Sequence, residues 1–173
     1  MPGKLTAYDS DIHVPLVITG PGVRPGTSTD RMVENVDLAE TFAALGHTRL
    51  AGDGHNMVPL LDGAGPARWR TAVLVEHQGK RRSVLDPDRQ QPASGSPTTY
   101  EAMRTSTFLY VEYADGEREF YDLRRDPFEL HNRADRLTRS QLALLHGELV
   151  RMKRCHRGRS CWNAMHVRKW VGA

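Results

Sequence analysis

Few residues in this 173-residue chain are of types that could do chemistry together. Cys155 and Cys161 have five residues between them, in a segment containing Gly and Arg. In an oxidising compartment a local disulfide is their natural pairing. A Cys/His zinc site drawing on His156 and His166 is the alternative, although its spacing matches no standard zinc pattern. Lys4 offers an ammonium, a compact point charge suited to an anionic group. His13 offers an imidazole that is cationic only when protonated. Glu76 and His77 put a carboxylate and an imidazole at the end of an apolar run, where they are candidates for substrate contact. His55 and His131 show no ligand spacing and are expected to be structural.

The formal net charge of +3 is unevenly placed. Residues 151–173 carry Arg151, Lys153, Arg154, Arg157, Arg159, Arg168 and Lys169 and no acidic residue. Taking these 7 from the 24 basic residues leaves 17 against 21 acidic ones, so the other 150 residues sum to −4. The basic end can attract anions such as sulfated glycans, nucleic acids or membrane surfaces, or serve as a solvated terminal segment. No apolar run is long enough to span a bilayer. No charged region followed by an apolar stretch opens the chain, so no signal peptide is expected in it.

A chain of this size can bury roughly 70% of its unfolded surface, which suffices for one core. Val14–Thr19 is short, apolar and β-branched, and reads as a buried strand closed by Gly20-Pro21-Gly22. Residues 33–45 read as a helix, with Asp37 and Glu40 as a capping-box pair and Leu38, Phe42 and Leu45 on one face. Thr71–Glu76 reads as a second buried strand. Residues 80–99 lack periodicity and read as a surface loop. Asp115-Gly116 between β-rich runs predicts a hairpin over 107–123. Thr138 and Gln141 cap a helix over 138–152, whose stripe of Leu142, Leu145, Leu149 and Met152 should cover one face of the hairpin sheet.

Several blocks of the sequence resemble the sulfatases, the sulfate-ester hydrolases of the alkaline-phosphatase-like superfamily. The first is Gly3-Lys4 with Tyr8-Asp9, Val14-Pro15 and Gly20-Pro21-Gly22. The second is Asp37-Leu38-Ala39, where the usual following Pro is replaced by Glu40. The third is Asp53-Gly54 with Pro59-Leu60-Leu61. The fourth is Phe120-Tyr121-Asp122-Leu123, Asp126-Pro127, Glu129-Leu130 and Asn132. They occur in the family's order and extend from about Gly3 to Cys161.

The resemblance implies an α/β fold that is α+β in its C-terminal part: a partial alkaline-phosphatase-like fold with a small antiparallel sheet packed by a C-terminal helix. It implies that residues 1–79 are the edge of a catalytic α/β domain and 100–161 a C-terminal subdomain. Residues 80–99 would be a surface loop and 162–173 a basic tail. It implies that Lys4 is catalytic, contacting the sulfate. His13 stands where many relatives carry Arg. A cysteine pair after the last long helix is also common in the family, which favours the Cys155–Cys161 disulfide. The family's formylglycine nucleophile, made from Cys or Ser in a Cys/Ser-x-Pro/Ala-x-Arg motif, has no counterpart here. Nor have its paired aspartates and His-Gly-Asp metal loop, so the Ca²⁺ of the complete enzyme finds no recognisable ligands in this chain.

These implications make the chain the C-terminal part of an aryl- or carbohydrate-sulfate hydrolase, inactive alone. Its partners would be a sulfated small molecule or glycan and the missing N-terminal half, with no nucleic acid. The alternatives are a non-catalytic anion- or glycan-binding module and the C-terminal half of a split sulfatase. Relatives are often secreted or periplasmic, which leaves the compartment of this chain open.

Overall fold

The hairpin forms as its sequence predicts. Phe108–Tyr113 (β3) and Arg118–Asp122 (β4) pair antiparallel, from Phe108 opposite Asp122 to Glu112 opposite Arg118. Gly116 takes a φ of +97° at the turn, a left-handed conformation that suits a residue without Cβ. Tyr100–Thr105 (β2) pairs with β3, from Tyr100 opposite Tyr113 to Arg104 opposite Leu109. Ala72–His77 (β1) completes a four-stranded sheet of order β1-β2-β3-β4. The computed structural model describes residues 5–63, 65–79 and 97–167. Lys4, Ala64 and most of the expected 80–99 loop lie outside them. The chain divides into two units: one takes the residues up to Val14 and Leu74–Leu149, the other Pro15–Val73 and the stretch from Val150.

In the first unit, strand alternation sorts the sheet into two faces. Met103, Phe108, Tyr110 and Phe120 are buried on one. This is the face of Glu112, whose carboxylate lies 2.9 Å from His146 Nδ1 on Arg139–Lys153 (α3). Leu145 and Leu149 are buried on the same helix, as its stripe predicts. Gln141 accepts from the Thr138 amide at 2.8 Å and Thr138 Oγ1 accepts from the Gln141 amide at 3.2 Å, so the capping box closes. The other face buries Tyr100, Ala102, Leu109, Val111 and Tyr121 beneath Ala7. The sequence-read sheet thus has a second cover, the segment at the start of the chain.

The second unit departs from two expectations. Residues 14–19 form no strand, and Val17 is 84% exposed. Among the described residues no strand pairs with them, and an apolar run without a ladder partner cannot become a sheet. The helix is Asp37–Leu45 (α2), which starts later than the expected 33–45. Phe42 and Leu45 are 66% and 49% exposed, whereas Asp37 and Thr41 are buried. Asp37 is the first helical residue rather than the cap. Its carboxylate accepts from the amides of Glu34 at 2.8 Å and His55 at 2.7 Å, and pairs with buried Arg70, which also pairs with Glu34. Thr41 Oγ1 donates to Asp37 O and accepts from the Met57 amide at 2.9 Å. The buried face of α2 is therefore polar and fully bonded at these two positions.

Around that network Met57, Leu60 and Trp69 pack with Ile18, Val33, Leu38 and Trp162. His55 is structural, stacked on Trp162 with ring centroids 3.8 Å apart. Burial, and then the Arg70 charge, lowers its pKa. Cys155 and Cys161 form a disulfide with Cα atoms 4.8 Å apart. Cys161 and Trp162 lie on Gly158–Ala164 (α4). Met165 O accepts from the amides of Thr71 and Ala72.

Candidate functional site

Lys4, the residue expected to meet the sulfate, precedes the first described residue. The structure shows how the chain immediately after it is held. Leu5 O accepts from Tyr100 Oη at 2.9 Å. Thr6 donates to Asp11 through its amide at 3.0 Å and through its hydroxyl. Asp9–Ile12 (α1) is a single helical turn. Asp9 accepts from Arg104 Nε at 2.7 Å and Nη2 at 2.6 Å, a bidentate pair. The Asp9 amide donates to Glu129 Oε2 at 2.8 Å. Tyr8 packs edge-on to Tyr121 and reaches Glu119 at 3.3 Å.

Sheet register explains why these partners converge. Arg104 lies opposite Leu109, on the face that Ala7 covers. Tyr121 lies on that same face. Glu129 comes from the turn after β4. There the Asp126 carboxylate accepts from the amides of Leu130 at 3.1 Å and His131 at 2.8 Å, and Glu129 takes a φ of +56°. Asn132 Oδ1 accepts from the Phe120 amide at 3.1 Å, tying the turn to the strand. The ordered Asp126-Pro127, Glu129, Asn132 pattern in the sequence is thus a device for presenting one carboxylate.

The electrostatics follow. Arg104, by its hydrogen bonds, holds the Asp9 carboxyl below the ordinary carboxylate range. Burial pushes the Glu129 carboxyl up. Burial raises the Tyr8 phenol and lifts Tyr100 to about 12, so both keep their protons at neutral pH and Tyr100 can donate to Leu5.

The other candidates are placed unequally. His77 stacks on Tyr100 with centroids 5.3 Å apart, two steps from Leu5. Glu76 is exposed. His13 is exposed at the end of α1, its amide donating to Asp9 O at 3.0 Å. Tyr100, Arg104 and Glu129 were not singled out from the sequence. Only Glu129 carried a signal, its place in the C-terminal pattern. Among the described residues no three of His, Cys, Asp and Glu gather into a metal site. Asp9 is engaged by Arg104 and Asp126 by backbone amides, so the residues described here do not fit a divalent cation.

The family model described as N-sulphoglucosamine sulphohydrolase, C-terminal, matches residues 3–154. The chain belongs to this sulfatase family. It is similar to N-acetylglucosamine-6-sulfatase of Capra hircus, with 33% identity over 88% of this chain and 31% of that protein. The Homo sapiens protein of that name is 32% identical over 88% of this chain and 32% of its own length. An arylsulfatase of Chlamydomonas reinhardtii is 30% identical over 95% of this chain and 29% of its own. This sulfatase chain therefore spans about a third of the length of the curated relatives it matches. A phosphonate monoester hydrolase from Silicibacter pomeroyi shares 28% identity at a TM-score of 0.67, covering 88% of this chain and 30% of that one. A structure described as being in complex with its substrate D-glucosamine-2-N,6-O-disulfate matches in fold, with a TM-score of 0.59 and 24% identity over 76% of this chain and 26% of that one.

Proposed function

We propose that this chain is the C-terminal part of a hydrolase for sulfate esters of glycans or aryl compounds. In this reading the sheet of its first unit delivers Lys4 to the sulfuryl group. The observation that carries it is the anchoring of Leu5–His13 by Tyr100, Arg104 and Glu129. Five bonds to four residues on or beside the sheet, Tyr100, Arg104, Glu119 and Glu129, hold the segment directly after the lysine. An ammonium lowers the barrier only if its position is fixed where charge develops. His13, Glu76 and His77 are the residues we assign to substrate contact, His77 through its stack on Tyr100. N-acetylglucosamine 6-sulfate is the favoured substrate class, because three of the similar proteins are N-acetylglucosamine-6-sulfatases.

The nucleophile belongs to a region N-terminal to these residues in a longer polypeptide, and so does the divalent cation, Ca²⁺ in the family. That region would complete the domain to which we assign residues 1–79. The exposed apolar side chains of Val17, Phe42 and Leu45 favour such a cover, since exposed apolar surface is costly in water. The test is a polypeptide in which this chain follows a sulfatase N-terminal region. It should release sulfate from N-acetylglucosamine 6-sulfate and p-nitrophenyl sulfate, and Lys4→Ala should lower kcat about 100-fold or more. Unchanged kcat in Lys4→Ala, or turnover of phosphonate monoesters alone, would refute the reading.

A further inference from the structure

We propose that the disulfide-closed loop from Cys155 to Cys161, with the arginine before it, is a docking site for a sulfated glycan chain. Arg154, His156, Arg157 and Arg159 are exposed on and beside it. Between Arg151 and Val167 there is no Asp or Glu. Among the described residues the side chains of Arg154, Arg157 and Arg159 make no ion pair. Because the loop's ends are only 4.8 Å apart, no two of its Cα atoms can be more than about 12 Å apart. That is close to the Debye length of roughly 8–10 Å, so charges carried by the loop are only partly screened from one another. Asp53, whose carboxylate bonds the Arg157 amide, is outnumbered by the three guanidinium groups, so the cluster is net positive and attracts an external polyanion.

The loop is also shaped in advance. Arg157 and Gly158 both adopt left-handed backbone, with φ of +60° and +49°. The Arg157 amide donates to Asp53 Oδ1 at 2.7 Å and the Gly158 amide to Gly52 O at 2.9 Å. Ser160 Oγ accepts from the His156 amide at 3.0 Å and donates to His156 O at 2.7 Å. A loop fixed in this way loses little entropy on binding, and its planar guanidinium groups can each bind a sulfate oxygen pair. The disulfide places the loop in an oxidising milieu, where sulfated glycans rather than nucleic acids are the abundant polyanions. The choice of a glycan rests on the proposed function; the anion binding does not.

The test is calorimetric titration of the full chain with a heparin octasaccharide at several salt concentrations. Arg154→Gln/Arg157→Gln/Arg159→Gln should weaken binding about 100-fold near physiological salt and lower the log–log salt slope by about three. Arg49→Gln/Arg136→Gln/Arg139→Gln removes equal charge from other exposed sites and should change affinity by less than about threefold. Two further variants hold the test if the first misfolds. Arg154→Lys/Arg157→Lys/Arg159→Lys keeps the charge and should stay within about tenfold of the parent. Cys155→Ser/Cys161→Ser keeps every charge but frees the loop, and should bind several-fold more weakly. Equal losses from the two Gln triples, or no heparin binding by the parent, would overturn the site. Equally tight binding of single-stranded DNA would overturn the glycan assignment. Heparin binding that persists in a polypeptide without sulfate release would count against the proposed function and leave the site standing.

Discussion

Replacing Arg104 with Met should free the segment after Lys4 without unfolding the sheet beneath it. The substitution removes two hydrogen bonds to Asp9, at 2.7 and 2.6 Å. Charge-assisted bonds contribute about 1.5–3 kcal/mol in mutational series. The Arg104 and Asp9 side chains keep 17% and 26% of their exposure, so water recovers part of the loss. A net of about 2 kcal/mol is the expected result, and it is local, because the Asp9 amide still donates to Glu129. Amide hydrogen exchange reads it directly. The amides of Thr6, Asp9, Asp11, Ile12 and His13, all bonded within this segment or to Glu129, should exchange about 30-fold faster, a factor of ten for each 1.36 kcal/mol. Amides in the middle of β3 should keep their protection. Arg104→Lys should recover part of the effect, since one ammonium replaces a fork of two donors. Unaltered exchange over residues 6–13 in Arg104→Met would show that the bidentate pair does not hold the segment.

Arg70→Met should destabilise the second unit by about 3–5 kcal/mol in urea denaturation, because Asp37 would be left buried and charged without its cation. Adding Asp37→Asn should restore part of that loss, and additive losses would refute the coupling. Glu129 has a raised pKa in the folded protein, so the folded state binds more protons, and stability should fall as pH rises from about 4.3 through the raised value. Glu129→Gln should abolish that decline; an unchanged pH profile would show that burial does not shift this group. Asp9 acts oppositely: its lowered pKa gives stability that is present above the ordinary carboxylate range and lost as acid protonates it. Phe42→Ser/Leu45→Ser should reduce self-association of the isolated chain in sedimentation velocity without lowering its melting temperature, since both side chains face outward.

The elements most legible in the sequence were those whose signals are local and mutually consistent. Asp115-Gly116 between β-rich runs specifies the hairpin. Thr138 and Gln141 start α3, and the spacing of Leu145 and Leu149 fixes its inner face. The stripe of Leu38, Phe42 and Leu45 is divided, with Leu38 packed against the core and the other two exposed, because periodicity identifies an apolar face but not what covers it. In α2 the buried face is held by Asp37 and Thr41, whose burial depends on Arg70, His55 and Met57, all remote in sequence. Val14–Thr19 misled for the same reason, since a strand exists only with its ladder partner. Arg104 could not have been found, because only the register opposite Leu109 brings it to the face where Asp9 lies. Glu129 was visible as part of an ordered pattern, but its role emerges only when the turn after β4 folds back toward the start of the chain.

Under the proposed function Lys4 would be one member of a catalytic group whose other members lie outside these residues, so the most direct measurement is turnover by the chain alone. Highly purified protein of these 173 residues should be incubated with p-nitrophenyl sulfate and Ca²⁺, beside its Lys4→Ala variant. Each missing transition-state donor costs about 100-fold or more, and a lone lysine cannot supply the nucleophile. The account predicts no sulfate release above background from either protein. Turnover by the parent chain that Lys4→Ala abolishes would contradict it.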